Sequence, residues 1–188
     1  MLPGYCIYTQ AFRIGRFPGS NNPAELERWT SVMGPTFNAM HHYCWGLMKT
    51  NRAKFLVSTP KMRDFYLRDS IPEFDYVING APTDFILLPE ILTKKGENLL
   101  ELDRSREGLQ ALHRAIELKP DYWPSYAAIS DYYRKIGDLA KARGWLEEGL
   151  SVTPNINALK RRMADLDAVE GSRTTATKSG MPQQPAKP

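Results

Sequence analysis

The segment AMHHYCWGLMKTNRA, residues 39–53, holds two of the three histidines and one of the two cysteines of the chain. On a helix, Met40, Cys44 and Met48 would form one stripe, and His41 would lie one turn before Cys44. Such a stripe offers soft ligands for Cu(I) or, with the histidine, a site for Zn(II). Stripes of methionine and aromatic residues at helical spacing are nevertheless far more often packing surfaces.

The rest of the sequence does not support a metal or haem centre. The third histidine, His113, lies in a separate segment, and no second cluster of ligands accompanies it. The haem motif C-x-x-C-H, the zinc motif H-E-x-x-H and the common nucleotide-binding and hydrolase motifs are absent. We therefore expect a packing helix, no cofactor and no enzymatic activity. A metal- or redox-linked protein that uses His41, His42 and Cys44 is the alternative.

The composition is that of an ordinary soluble globular protein. The chain has 188 residues, of which 42% are hydrophobic and 24% are charged. Its net charge of +4 is too small to favour nucleic-acid binding. No apolar run reaches the roughly 18 residues that a membrane span needs. We expect neither a nucleic-acid partner nor a membrane span.

The two cysteines, Cys6 and Cys44, permit one disulfide, but their spacing does not require it. No charged and then apolar leader is visible at the amino terminus. If Met1 is the native start, the chain is cytoplasmic and both thiols stay reduced. If a signal peptide has been removed, the chain is periplasmic and a Cys6–Cys44 bridge is expected.

Residues 1–22 show no helical period, and we interpret them as an irregular arm that lies on the fold. Four aromatic residues would anchor this arm: Tyr5, Tyr8, Phe12 and Phe17. Residues 23–84 are predicted to be helical, with short polar residues as caps at the helix starts. These caps are Asn22, Thr59 and Ser70, and Gly34 with Pro35 separates the first two helices.

The carboxyl-terminal half repeats at an interval of 34 residues. Small residues, large residues and a proline recur in the same order: Gly108 with Ala142, Leu112 with Leu146, Ala115 with Gly149, and Pro120 with Pro154. The segment upstream of each matches in the same register: Leu92 with Tyr126, Gly96 with Ser130, and Leu99 with Tyr133. Small residues allow two helices to approach closely, large residues fill the space between them, and the prolines end the second helix. This periodicity predicts stacked helical hairpins.

The pattern resembles the tetratricopeptide repeat (TPR), a 34-residue pair of antiparallel helices. The resemblance covers residues 85–156 as two repeats, and it implies an all-α solenoid of helical hairpins that forms a right-handed superhelix. Gly137 stands at the turn between the two helices, and Asp138 can cap the helix that follows. The first repeat departs from the pattern, with Asp103 at that turn and Lys95 where leucine is usual.

Two repeats seldom bury their apolar faces alone, so we expect about three units and a capping helix. Residues 39–84 match as a degenerate unit if Gly46 takes the small-residue position and an insertion falls near residues 52–69. The second helix of this unit would begin at the Ser70 cap, and a helix over 60–69 would extend or flank it. Its residues at repeat spacing are Ser70, Phe74, Val77 and Pro82.

The carboxyl-terminal segment divides into two parts. Residues 157–170 form an amphipathic pattern with Leu159, Met163 and Leu166 on one side, which suits a capping helix. Residues 171–188 lack aromatic and branched aliphatic side chains, so they cannot bury enough surface to offset the entropy of ordering. We expect a disordered tail there.

In proteins that resemble this one in their repeats, the first helix of each unit lines a concave groove that binds peptides or partner proteins. The resemblance places ten residues on that groove: Tyr43, Leu47, Glu90, Thr93, Glu97, Glu101, Ala127, Asp131, Arg134 and Lys135. This set is acidic in the middle and basic at its far end. We therefore expect a protein or peptide partner with a mixed-charge, amphipathic or extended segment.

Chaperone-binding relatives of this kind hold a C-terminal carboxylate with lysine and asparagine at fixed groove positions. Those positions here are occupied by Thr93, Glu97 and Ala128, so this use is not expected. The resemblance implies a binding or scaffolding protein, and the amino-terminal part is similar to uncharacterised bacterial TPR-containing proteins. A further alternative is an accessory subunit that docks through the aromatic arm of residues 1–22.

Overall fold

The computed structural model describes residues 2–13 and 17–179, except for the side chains of Arg13 and of residues 172–179. Within these ranges the chain is all-α, as predicted, and contains no strand. Its α-helices longer than one turn are α1 (Pro23–Met33), α2 (Met40–Asn51), α3 (Pro60–Gly80), α4 (Leu88–Glu101), α5 (Ser105–Leu118), α6 (Trp123–Lys135), α7 (Leu139–Val152) and α8 (Asn157–Ser179), and a 3₁₀ helix, Gly34–Ala39, joins α1 to α2. Over the described residues, none of these helices has the length and apolar character of a membrane span.

The chain divides into two compact units, Met1–Ser125 and Tyr126–Pro188. In the first unit, α2 packs against α3 and α4 packs against α5, while α3 also contacts α4. In the second unit, α8 packs against α7. The helices thus form successive hairpins, the arrangement that the repeat pattern predicts.

The amino-terminal arm contains a 3₁₀ turn, Gly4–Tyr8, and one helical turn, Gln10–Arg13. Tyr5 and Phe12 are buried in the core of the first unit, and Tyr8 packs against the same core. The rings of Phe12 and Phe17 lie 6.0 Å apart, although Phe17 is exposed. The arm therefore belongs to the core of the first unit rather than to its surface.

Helix starts follow local side-chain chemistry at three of the four predicted caps, and one of these is Asp138, whose side chain accepts a hydrogen bond from the Lys141 amide at 3.1 Å. The side chain of Asn22 accepts hydrogen bonds from the amides of Ala24 and Glu25, and that of Thr59 accepts one from Met62. These acceptors satisfy amides that have no partner inside the first helical turn.

The prediction of a helix start at Ser70 is wrong. Ser70 lies inside the single helix α3, where its hydroxyl donates to the Leu67 carbonyl at 2.6 Å. Pro72 removes one backbone donor from this helix, but it is exposed, so its ring is not forced into the core. The helix that is capped by Thr59 therefore continues past Ser70, where the sequence predicted a new helix start.

In each hairpin of the first unit, a glycine of the first helix lies in close contact with a side chain of the second helix. A Cβ added at Gly46 would lie 2.4 Å from the Phe74 ring, and one added at Gly96 would lie 2.8 Å from the Leu112 side chain. The repeat comparison aligns these same two pairs of residues. In both hairpins a glycine on the first helix therefore admits a large side chain from the second.

A buried polar residue connects three helices of the first unit. The side-chain amide of Asn98 in α4 donates to the Thr50 hydroxyl of α2 at 2.6 Å and to the Ser70 hydroxyl of α3 at 2.8 Å. Asn98 is fully buried. Hydrogen bonds of this kind fix the relative register of helices because an unpaired buried amide is costly.

The helix bounds repeat with the predicted period. The helices α5 and α7 begin and end 34 residues apart. Each is followed by the same closing hydrogen bond, from the Lys119 amide to the Ala115 carbonyl at 3.0 Å and from the Thr153 amide to the Gly149 carbonyl at 2.9 Å. The two prolines that follow, Pro120 and Pro154, therefore occupy equivalent turns.

The departures in the first repeat are accommodated by local contacts. Asp103 adopts a positive φ of 58°, as Gly137 does with 85° at the equivalent position. Aspartate tolerates this conformation better than most side chains. The Lys95 ammonium lies 2.5 Å from the Asp75 carboxylate of α3, which compensates its charge at a position where leucine is usual.

In the second unit, α8 contributes Leu159 and Leu166 to the core, where both are buried. Met163 is only partly buried and accepts from the Arg143 guanidinium of α7. The helix continues to Ser179, beyond the boundary expected at residue 170. Of the segment expected to be a disordered tail, residues 180–188 lie outside the described part.

Candidate functional site

Cys44 does not offer a thiol to a metal. Its sulfur is bonded to that of Cys6 in a disulfide whose Cα atoms lie 5.8 Å apart, and both residues are buried. The bridge attaches the amino-terminal arm to the middle of α2. Because metal binding by cysteine needs the thiolate, this sulfur is removed from the ligand set that the sequence suggested.

The two neighbouring histidines are engaged in other contacts. The Nδ1 atom of His42 lies 2.7 Å from the Glu73 carboxylate, and its ring stacks on Tyr76 at 3.8 Å between centroids. The Nδ1 atom of His41 lies 2.9 Å from the Asn38 carbonyl. Burial, and then the neighbouring His42, lower the pKa of His41 and favour its neutral form.

Over residues 2–13 and 17–179, no three histidine, cysteine, aspartate or glutamate side chains are grouped so that they could hold a metal ion. The structure therefore gives no support to the metal- or redox-linked alternative. His41, His42 and Cys44 belong instead to the packing of α2.

Three of the ten residues expected on the groove are buried, and their direct exposure to a partner was wrongly expected. These are Tyr43, Thr93 and Ala127. Tyr43 packs its ring against Phe74, with the centroids 5.8 Å apart. The Thr93 hydroxyl donates to the Pro89 carbonyl at 2.8 Å and lies 2.7 Å from the Ser125 hydroxyl. Tyr43 and Thr93 are thus engaged in contacts between helices, and Ala127 is buried.

The carboxylate of Glu90 is the centre of the predicted face in the first unit. It accepts a hydrogen bond of 2.5 Å from the Tyr43 hydroxyl, which connects α2 with α4. Burial and the negative charge of Glu90 raise the pKa values of Tyr5, Tyr43 and Tyr122. Glu90 is partly exposed, and no ion pair to it is present in the described part of the chain.

Three further members of the predicted set lie in the first unit, and all are partly exposed: Leu47, Glu97 and Glu101. The Glu97 carboxylate lies 3.1 Å from the Lys94 ammonium and 3.8 Å from that of Lys54. Glu101 lies 3.2 Å from the Arg63 guanidinium. These acidic side chains thus form ion pairs within the same unit, in contrast to Glu90.

In the second unit the predicted residues fall into two groups. Asp131 is held by Arg162 of α8 at 3.0 Å and faces Arg134 at 3.9 Å. Arg134 and Lys135 are exposed at the carboxyl end of α6. This end of the helix is favourable for cations because the peptide dipoles place partial negative charge there.

Two residues near Glu90 were not found from the sequence. Tyr122 lies in the loop between α5 and α6, and Tyr5 lies in the arm. Tyr5 is 7% exposed, and its hydroxyl is buried without a hydrogen-bond partner. The repeat period cannot predict an aromatic contact from an irregular segment. A Cys6–Cys44 disulfide, which the sequence left open, would have indicated that Tyr5 lies close to α2.

Comparisons with known proteins give distant similarities. No family model matches the chain. It is 30% identical over 105 residues to "Protein STIP1 homolog" of Dictyostelium discoideum, a match that covers 55% of this chain and 18% of that protein. It is 28% identical over 92 residues to "Hsp70-Hsp90 organizing protein" of Triticum aestivum, over 49% of this chain and 15% of that protein.

The chain thus spans less than a fifth of the length of these two relatives. Both come from eukaryotes, so they lend no support to the expected similarity of the amino-terminal part to bacterial TPR-containing proteins. Both contain tetratricopeptide repeats. Together with the paired helices and their 34-residue period, these similarities support a tetratricopeptide-like helical-hairpin fold for this chain.

Proposed function

We propose that this chain is a protein–protein interaction module, an adaptor or assembly factor, whose first unit binds a mixed-charge peptide segment beside Glu90. The proposal is supported by the helical-hairpin fold, because stacked hairpins present the first helix of each pair as a binding surface. The name "organizing protein" of one distant relative is in keeping with an adaptor role.

The observation that carries the proposal is the environment of Glu90. Its carboxylate accepts a hydrogen bond from the Tyr43 hydroxyl, it is partly exposed, and no ion pair to it is present among the described residues. A lysine or arginine side chain of a partner would complete this site with a charge-assisted hydrogen bond to the carboxylate. The site therefore favours a cationic side chain as the central contact.

The residues around Glu90 would bind the flanking parts of the peptide. Leu47 offers an apolar contact, while Glu97 and Glu101 are already paired with cations of the same unit. Exposed ion pairs of this kind contribute little affinity but disfavour partners of the wrong charge. The second unit, taken by itself, offers the exposed side chains of Arg134 and Lys135 to acidic residues of a partner.

We do not propose that this chain binds the C-terminal carboxylate of a chaperone. The positions that hold such a carboxylate in the chaperone-binding relatives are Thr93, Glu97 and Ala128 in this chain. Thr93 is fully buried, and the negative charge of Glu97 would repel a carboxylate. An internal basic segment of a partner fits this surface better than a free carboxyl terminus.

Docking through the aromatic arm is less well supported. Tyr5 and Phe12 are buried in the core of the first unit, and Cys6 is bonded to α2. A partner could reach these aromatic side chains only if the arm detached from its own fold. The arm is better explained as part of the core of the first unit.

An array of extended peptides that differ only in a central residue tests this function. We expect peptides with a central arginine or lysine to bind more tightly than those with glutamine or glutamate. The variant Glu90→Gln removes the charge while keeping the shape, so it should weaken binding of the arginine peptide by about tenfold, the worth of one charge-assisted contact.

The matched control is Glu117→Gln, which removes an exposed carboxylate of α5 in the same unit. It should leave the affinity for the arginine peptide unchanged. The proposal fails if the glutamate peptides bind best, or if the two variants lose the same affinity.

A further inference from the structure

Exposed large apolar side chains concentrate in one short segment of the first unit. Of the ten found in the described part of the chain, four lie between residues 55 and 65: Phe55, Leu56, Met62 and Phe65. We refer to these four residues as the 55–65 patch. It falls within the insertion near residues 52–69, which has no counterpart in the repeats. Ordinary packing of helical hairpins therefore does not account for it.

The backbone of this segment presents its apolar residues outward. After α2 the chain forms a π-helical turn, Arg52–Leu56, and then Val57 is extended. Phe55 and Leu56 are each 75% exposed although they are adjacent. Neighbouring side chains of a helical turn point in different directions, so Phe55 and Leu56 present a divergent apolar surface.

The unpaired charges beside the patch are all positive. Its acidic residues are paired, since Asp64 lies 3.6 Å from Arg63 and Asp69 lies 2.9 Å from Lys49, and each of these two cations also pairs with a glutamate. Over residues 2–13 and 17–179, three cations of this segment form no ion pair: Arg52, Lys61 and Arg68. The Arg52 guanidinium lies over the uncharged ring of Tyr66, 5.8 Å from its centroid.

We propose that the 55–65 patch attaches this protein to the surface of an anionic lipid bilayer. Phe55 and Leu56 would enter the interface between headgroups and acyl chains, while Arg52, Lys61 and Arg68 would bind the anionic headgroups. Amphipathic surfaces bind bilayers by this combination of apolar burial and electrostatic attraction. The inference is independent of peptide binding beside Glu90.

The geometry favours a bilayer over an acidic peptide. Residues that dominate a peptide interface are normally enclosed by a pocket that excludes water. Phe55 and Leu56 have no such walls on this protein and diverge from each other, whereas lipid surrounds a side chain from every direction. A fluid interface can therefore bury both side chains at once.

Co-sedimentation with vesicles tests this proposal on the full chain. The vesicles contain phosphatidylcholine with or without about 30 mol% phosphatidylserine. We expect binding to the anionic vesicles, a decrease in binding when salt is raised from about 0.1 M to about 0.5 M, and little binding to pure phosphatidylcholine. The double variant Phe55→Ser/Leu56→Ser should bind at least about tenfold more weakly, since two apolar side chains no longer leave water.

The control is Ile136→Ser/Val152→Ser, which removes two exposed apolar side chains elsewhere in the chain and should bind like the wild type. Circular dichroism establishes that both double variants keep the helical fold. Absence of binding to anionic vesicles at low salt would overturn the proposal, as would an equal loss in the control variant. Binding to poly-glutamate but not to vesicles, or a dimer that Phe55→Ser/Leu56→Ser dissociates without any vesicle binding, would also overturn it.

Discussion

At Gly46 the contact between α2 and α3 leaves no space for a larger side chain. The Phe74 ring occupies the space where any other side chain would begin, since a Cβ would lie 2.4 Å from it. A glycine in a helix interior is otherwise unfavourable because it loses more backbone entropy than alanine. Its presence in α2 is therefore explained by the approach of α3.

Replacement of Gly46 by alanine should destabilise the protein by about 1–3 kcal/mol, because Phe74 must shift within a close-packed core. The measurement is the midpoint of urea unfolding followed by circular dichroism. Gly144→Ala is the matched control, because an added Cβ there has no neighbour within 4 Å. That variant should be neutral or more stable by up to about 1 kcal/mol. A destabilisation of Gly144→Ala that equals that of Gly46→Ala would contradict the packing argument.

The sequence predicted contacts between individual residues correctly where the repeat period specified whether a side chain is small or large. The alignment placed Gly46 opposite Phe74 and Gly96 opposite Leu112, and both contacts are present. It could not predict that the Thr93 hydroxyl would contact the Ser125 hydroxyl. Residues on the groove and residues in helix–helix contacts recur with the same period, so the period does not distinguish them.

At the scale of helices, the repeat period is reproduced in the bounds of α5 and α7 and in the turns that follow them. The helix start expected at Ser70 failed because a Ser-x-x-Glu pattern is only a local signal. A helix already under way from Thr59 buries Leu67 and Phe74 on one side, and this tertiary gain outweighs the local preference. Local caps are thus reliable only where no earlier helix runs through them.

The arm is the element whose position depends most on a single covalent bond. The Cys6–Cys44 bridge closes a segment with a sequence separation of 38 residues. By loop entropy, such a bridge stabilises a protein by about 3–4 kcal/mol. The double variant Cys6→Ser/Cys44→Ser should therefore unfold at a clearly lower urea concentration.

Reductant provides the internal control for this prediction. It should destabilise the wild type towards the stability of the double variant and should leave the variant itself unchanged. The samples are equilibrated with reductant under fully denaturing conditions, so that the disulfide is accessible. If the unfolding midpoint of the wild type then stays unchanged, the bridge does not stabilise the protein.

At the scale of the whole molecule, the all-α hairpin architecture followed from the spacing of small and large residues alone. The composition of the proposed site did not, because Tyr5 and Tyr122 come from irregular segments to which no period applies. Of the ten residues expected on the groove, the first unit retains Leu47, Glu90, Glu97 and Glu101 in partly exposed positions. The chemistry of the site therefore depends on how loops and the arm complete a regular scaffold.

The most direct test of the account is a nuclear magnetic resonance titration of the labelled chain with the arginine-centred peptide. The account predicts that the largest amide shift changes occur at Leu47, Glu90, Glu97 and Tyr122. The exposed side of α5, represented by Gln110, His113 and Glu117, should remain unchanged. Saturable binding with its largest shift changes on that side of α5 would contradict the proposal that the protein binds its partner beside Glu90.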